Sequence, residues 1–187
     1  MENAALFQNQ TKYPKKIIFI TGGARSGKSY FAQEHAQKFP GPKAYLATAQ
    51  ALDEEMAERI RRHRENRSAD WQTLEEPLKV PECLEGHGDY FSLILLDCLT
   101  LWTSNLMMAG WDETRILEEA DRFLIVCQRV KCSLVLIGNE VGMGIVPDNP
   151  QARLFRDLSG LIQQKVARAA DEVFFMVSGL PQKIKGG

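Results

Sequence analysis

Residues 17–29 read IIFITGGARSGKS, an apolar run that breaks into Gly22-x-x-x-x-Gly27-Lys28-Ser29. That is the spacing of a phosphate-binding loop leading from a strand into a helix. The glycines let backbone N–H groups turn inward around the β- and γ-phosphates, the lysine brings a point charge, and the serine hydroxyl serves a Mg2+ ion. The start of the helix adds its own positive pole. The flanks supply the context the motif requires, because Ile17–Ile20 is apolar throughout and Phe31, Ala32, His35, Ala36 and Phe39 recur at helical spacing. A glycine turn that merely joined strand to helix would leave Lys28 and Ser29 unexplained. The expected ligand is a nucleoside triphosphate, held by Gly22, Gly23, Ala24, Arg25, Ser26, Gly27, Lys28 and Ser29.

Working outward, Pro40-Gly41-Pro42 stops the first helix and KAYLAT, residues 43–48, reads as a second short buried strand. Asp53 is placed to cap a helix running to about Glu65, whereas the stretch from Ser68 to Gly88 reads as mixed, with Pro77, Pro81 and two glycines marking irregular structure. SLILL at 92–96, ending in Asp97, has the continuous apolar character of a strand buried on both faces, and SLVLI at 133–137 repeats it. Helices are expected over about 99–108 and 112–130. Another is expected from the Asn149 cap and Pro150 to Ala170, with Leu154, Leu158, Leu161, Ile162 and Val166 as its apolar face. EVFFMV at 172–177 reads as the last strand, followed by a polar tail. Strands alternating with helices predict an α/β three-layer sandwich with a mostly parallel sheet, of phosphate-loop NTPase (RecA-like) type.

At 187 residues the chain fits one domain, expected over 17–187 behind a mobile extension at 1–16. The net charge of −1 gives no reason to expect a nucleic acid or a membrane surface as partner. No apolar stretch is long enough to span a bilayer or serve as a signal core. The four cysteines form no C-x-x-C pair, which suits reduced thiols in a cytoplasmic protein, with neither disulfide nor zinc.

Asp97 closes a four-residue apolar run, where phosphate-loop enzymes place a carboxylate beside the metal held by the loop serine. Ser29 and Asp97 are therefore the candidate Mg2+ ligands; capping of the next helix is the other reading of Asp97. Around His63, five arginines (Arg59, Arg61, Arg62, Arg64 and Arg67) crowd a helix on which Met56, Ile60 and His63 share a face. A packed histidine on a solvated, charged helix is one reading. The other is a nucleophile, because arginines bind polyphosphate and disfavour the imidazolium, leaving a neutral ring nitrogen able to attack phosphorus. Glu140, at the end of the next strand and ahead of Gly142 and Gly144, either orients a substrate hydroxyl or caps a loop.

Five ordered blocks carry a resemblance: GGARSGKS at 22–29, YLATAQALDEEMAERIRRHRENR at 45–67, W-x-T-x-E-E-P at 71–77, LLDCLTLWTSNLM at 95–107 and NEVGMGIVP at 139–147. With the continuation over 153–185, the chain from Ile17 onward resembles the bifunctional adenosylcobinamide kinase / adenosylcobinamide-phosphate guanylyltransferases of cobalamin biosynthesis. The resemblance implies phosphorylation of the corrinoid adenosylcobinamide by GTP, with ATP as another donor. Transfer of GMP to that phosphate through a GMP-histidine intermediate follows. Carried over position by position, it puts the guanylylated histidine at His63. Nucleotide contacts fall at Gly22 to Ser29, Thr48, Ala49, Gln50, Arg64, Glu65, Asn66, Arg67, Glu75 and Asp97, with His63, Lys28 and Asp97 as the catalytic set. It further implies a homo-oligomer, a trimer. Arg62 stands where some relatives have a second histidine, and Asp97 where some have glutamate. The rival readings are a small-metabolite kinase without nucleotidyl transfer and a non-catalytic nucleotide-binding module. A regulatory GTPase would carry N-K-x-D and D-x-x-G motifs, and neither is present.

Overall fold

The computed structural model describes residues 14–51, 53–55, 57, 58, 61 and 71–187. His63, Met56, Ile60 and the segment 64–67 lie outside the described residues, as do residues 1–13. In chain order the elements are β1 (Ile17–Gly22), α1 (Lys28–Gln37), β2 (Lys43–Ala47), β3 (Trp71–Glu75), α2 (Val80–His87), β4 (Leu93–Asp97), α3 (Leu99–Met108), α4 (Glu113–Arg129), β5 (Ser133–Asn139), α5 (Pro150–Ala169), β6 (Glu172–Val177) and β7 (Leu180–Lys185).

The strands form one sheet in the order β3-β2-β4-β5-β1-β6-β7, parallel throughout except for the β6/β7 pair. A parallel strand needs cover on both faces, and the sequence supplies apolar side chains to both. In β4, Leu93 and Leu95 join one core cluster with Ala32 and Ala36 of α1, while Ile94 and Leu96 join the other with residues of α2 to α5. Trp102 of α3 is fully buried in the larger cluster, its ring 5.2 Å from that of Phe123 and its indole N–H donating to the Leu78 carbonyl at 2.9 Å. Burial with the one polar atom satisfied is the condition under which tryptophan stabilises a core.

Three expectations are corrected. The stretch 68–88 is not wholly irregular: 71–75 add the outer strand β3, and 80–87 form α2 with Pro81 in its first turn, where a missing N–H costs nothing. The tail after 177 is a strand, because Ser178 and Gly179 at φ 50° and 85° make the tight reversal that folds β7 back onto β6. On α5, Leu158, Ile162 and Val166 are buried as expected, but Leu154 and Leu161 are exposed, which narrows the apolar face to one edge. Ahead of β1, two lysines reach back onto the folded body. Lys15 donates to the Cys127 and Gln128 carbonyls at the end of α4, and Lys16 pairs with Glu172.

His35 on α1 sits among the rings of Phe31, Phe39 and Phe174, with its Nδ1 buried and unpartnered among the described residues. Burial, then the Lys38 ammonium, holds its imidazole below the ordinary value; Lys16 and Lys183 act the same way and Glu172 opposes. The unfolded chain therefore binds this proton more readily, so the folded state loses stability as pH falls from above 6.5 through the lowered value. A falling melting temperature between pH 7.5 and 5.5 is expected, and His35→Phe should flatten that slope. Loss carried by Glu172, whose carboxyl Lys16 holds below its ordinary value, belongs to a more acid window.

Candidate active site

Because β1 to β5 are parallel, their carboxyl ends share one edge of the sheet, where open α/β sheets bind ligands. From that edge the chain offers Gly22, Ala47, Glu75, Asp97 and Asn139 in adjacent registers. The loop 22–29 turns over it and enters α1 with Gly27 as N-cap, at φ 91° and with no side chain capping the helix. The first-turn N–H groups are thereby left for an anion.

Gly22 sits at φ 149°, and a Cβ there would lie 2.6 Å from the Met176 carbonyl oxygen and 2.9 Å from Ser26 Oγ. No side chain fits without moving β6 or the loop. Gly22→Ala is expected to lower stability by about 1–3 kcal/mol and to weaken nucleotide binding, read by chemical denaturation and by nucleotide titration. Gly27 is less tightly confined, since a Cβ would lie 3.2 Å from Gly179 Cα, and the Gly179 N–H donates to the Ser26 carbonyl at 3.0 Å. The β6/β7 turn thus braces the loop from behind.

Lys28 is buried, its ammonium donating to the Gly23 carbonyl at 2.5 Å and to Ser26 Oγ at 3.3 Å. Asp97 is the convergence point: its Oδ2 accepts the Ser29 hydroxyl at 3.0 Å and the Tyr45 hydroxyl at 2.6 Å. It ends β4 and precedes a cis peptide to Cys98. Cys98, although next to Asp97, is no nucleophile: burial first, then the Asp97 charge, pushes its thiol up to about 12. Burial likewise pushes Cys83 and Cys132 up to about 11 and raises Cys127, and all four thiols are free.

The cavity in front of the loop measures about 920 Å³. It is lined by residues 24–29 with Tyr45, Asp97 and Asn139, and by Ala49, Gln50, Ala51, Ala57, Arg61, Glu75 and Pro77. The sequence-predicted Ala24 to Ser29, Ala49, Gln50, Glu75 and Asp97 are therefore brought together. Gly22 and Gly23 shape the loop from below. Thr48 is not in the lining: it is fully buried, and its hydroxyl donates to the Cys98 carbonyl and accepts the Cys98 N–H, so its side chain ties the exits of β2 and β4 together. Glu140 caps its own loop, accepting the Gly142 and Met143 N–H groups at 2.7 and 3.0 Å. Arg64, Glu65, Asn66, Arg67 and His63 lie outside the described residues.

Sequence reasoning missed Tyr45 and Asn105. The buried Asn105 amide donates to the Thr48 carbonyl at 2.8 Å and the Pro77 carbonyl at 3.0 Å, pinning the exits of β2 and β3 together. Thr21, Gln163 and Thr100 do the same for Asn139 on the other flank. These contacts join residues far apart in sequence, and no local pattern signals them.

The donor set suits Mg2+. Ser29 and Asp97 offer two hard oxygens beside the phosphate loop, and no group of three or more His, Cys, Asp or Glu side chains able to hold a metal occurs among the described residues. A magnesium ion that keeps its waters and substrate phosphates as ligands asks for no more.

A phosphate loop beside a strand-end carboxylate on one nucleotide-sized cavity, on this sheet order, defines a phosphate-loop nucleoside-triphosphate enzyme. The fold agrees with the solved structure of the RadB recombinase, at TM-score 0.52 and 13% identity over 87% of this chain and 74% of that one. A family model described as cobinamide kinase / cobinamide phosphate guanyltransferase matches residues 18–184. The bifunctional adenosylcobalamin biosynthesis protein CobU of Salmonella typhimurium is 42% identical, covering 90% of this chain and 99% of the relative. Its namesake in Escherichia coli is 40% identical over the same shares, and CobP of Pseudomonas aeruginosa is 40% identical over 89% and 96%. The chain belongs to the cobinamide kinase / cobinamide phosphate guanyltransferase family.

Proposed function

We propose that this chain is a bifunctional kinase and guanylyltransferase that phosphorylates adenosylcobinamide with GTP or ATP and then transfers GMP from GTP onto that phosphate, giving adenosylcobinamide-GDP. The observation that carries this reading is the shared lining of the cavity: the phosphate loop lines it together with Ala57 and Arg61, on the segment that leads into His63. One chamber thus serves chemistry at the γ-phosphorus and at the α-phosphorus.

In the first step the aminopropanol hydroxyl of the corrinoid attacks the γ-phosphorus and the nucleoside diphosphate leaves. Lys28 and the loop N–H groups hold the phosphates in line, a task of positioning and charge. Ser29 and Asp97 would hold Mg2+, which when bound would neutralise charge on the phosphate oxygens. In the second step a ring nitrogen of His63 attacks the α-phosphorus of GTP and pyrophosphate leaves. An oxygen of adenosylcobinamide phosphate then attacks the same phosphorus, the N–P bond breaks, and free His63 returns. Ala49, Gln50 and Glu75, with Arg64 to Arg67, complete the nucleotide contacts of this reading. The corrinoid and GTP are the partners, and the setting is a homo-oligomer, a trimer, in the cytoplasm. The body of the domain is the segment from residue 17 onward. No described helix is long and apolar enough to cross a membrane.

Position-specific phosphorus labelling tests the pair of reactions. The product must contain one phosphorus from the γ-position of the kinase donor, one from the α-position of GTP, and none from a β-position. A product carrying only γ-phosphorus would reduce the protein to a simple kinase.

A further inference from the structure

We infer that Tyr45 is a positioning residue for the metal-side carboxylate: its hydroxyl fixes Asp97 Oδ2 so that Ser29 can leave Asp97 for the incoming metal without the carboxylate turning away. The inference rests on the reading of Asp97 as the Mg2+ organiser. In the β2/β4 register Tyr45 pairs with Leu95 and Ala47 with Asp97, so Tyr45 lies on the Asp97 face, one diagonal step back along the strand. A tyrosine spans that step, and its hydroxyl reaches Oδ2 at 2.6 Å. The ring is 2% exposed, held in the core beside α1 and set edge-on to Trp71 at 6.3 Å.

Two hydroxyls therefore share one carboxylate oxygen, and their freedom differs. Ser29 sits at the mouth of the helix, on the cavity wall, where the metal and phosphates arrive, and its short side chain can exchange one oxygen partner for another. Tyr45 lines the same cavity, but its ring is buried and set edge-on to Trp71, so it is less free to turn away. On this reading the Ser29 contact is exchanged when the metal arrives and the Tyr45 contact is kept. A group that orients a metal-ligating carboxylate without touching the metal belongs to the class whose loss weakens metal binding while leaving the rest of the site in place. Tyr45 also meets the steric need created by an aspartate at 97: a short carboxylate close to the strand is held by a donor that comes up from the strand beside it.

The test uses the full chain with Tyr45→Phe, Tyr45→Leu and Asp97→Ala, and measures GTP affinity by titration in EDTA and again in Mg2+ or Mn2+. Tyr45→Phe is expected to leave the metal-free affinity unchanged and to cut the metal-induced tightening by about tenfold. The half-saturating Mg2+ concentration for turnover should rise correspondingly, with most of kcat recovered at high metal. Tyr45→Leu, which removes the ring as well, must show the same selective loss together with a lower melting temperature. Equal weakening of metal-free and metal-bound GTP, or wild-type metal tightening in Tyr45→Phe, overturns the inference and makes the tyrosine a packing residue. Asp97→Ala separates the two ideas: if it keeps full metal tightening, the reading of Asp97 itself fails, whereas loss there with none in Tyr45→Phe sinks only the role of Tyr45.

Discussion

With His63 replaced by alanine, α-labelled GTP is expected to leave no label on the denatured protein, while γ-phosphoryl transfer to adenosylcobinamide continues and adenosylcobinamide phosphate accumulates. Removing the attacking atom of a covalent mechanism leaves only binding and electrostatic stabilisation, so guanylyl transfer should fall by about 10^4-fold or more. The label on the wild type should be acid-labile and alkali-stable, as a phosphoramidate is. The four thiols offer no substitute nucleophile, because burial keeps each of them protonated. Persistent label on the variant would reassign the covalent step to another group. Absence of label on both proteins, with GTP binding intact, would leave the kinase alone.

Lys28→Met is expected to remove both activities together. In the structure the ammonium is buried against the Gly23 carbonyl and Ser26 Oγ, so it braces the loop from within as well as offering charge to a phosphate. Methionine keeps the stem and discards five-atom reach to those oxygens in charged form. Losing one preorganised cationic contact to the moving phosphorus costs about 100- to 1,000-fold in rate. The informative quantity is the ratio of the two losses, measured in parallel with γ- and α-labelled GTP. Comparable losses mean one loop serves both phosphorus atoms, and an intact guanylyl transfer would mean that the second GTP binds elsewhere.

The parts of this site that could be read from sequence are those whose chemistry is local. Gly22 to Ser29 announce themselves by spacing, and Asp97 by the apolar run it ends. What escaped depended on contacts across the sheet. Tyr45 reads as one more core residue until the β2/β4 register sets it beside Asp97, and Asn105 reads as a helix residue until the exits of β2 and β3 close on its amide. The prolines at 77 and 81 suggested irregular chain, but Pro81 falls where a helix tolerates it and Glu76 accepts the Leu78 and Lys79 N–H groups ahead of that helix. Leu180-Pro-Gln-Lys-Ile-Lys has too little apolar character to mark a strand, and β7 is accordingly exposed along its whole length. Its signal was the preceding Ser178-Gly179, a turn dipeptide. Glu140 was open between two roles, and the choice went to the loop because its own next two N–H groups beyond Val141 stood within reach.

The bond from the Gly179 N–H to the Ser26 carbonyl ties the earliest motif of the chain to nearly its latest turn. During synthesis the phosphate loop is therefore translated long before the backbone that supports it. A ribosome-bound chain that has not yet released residue 179 has a loop with the right letters and no brace. The support of the loop is thus completed only when the β6/β7 turn closes onto it.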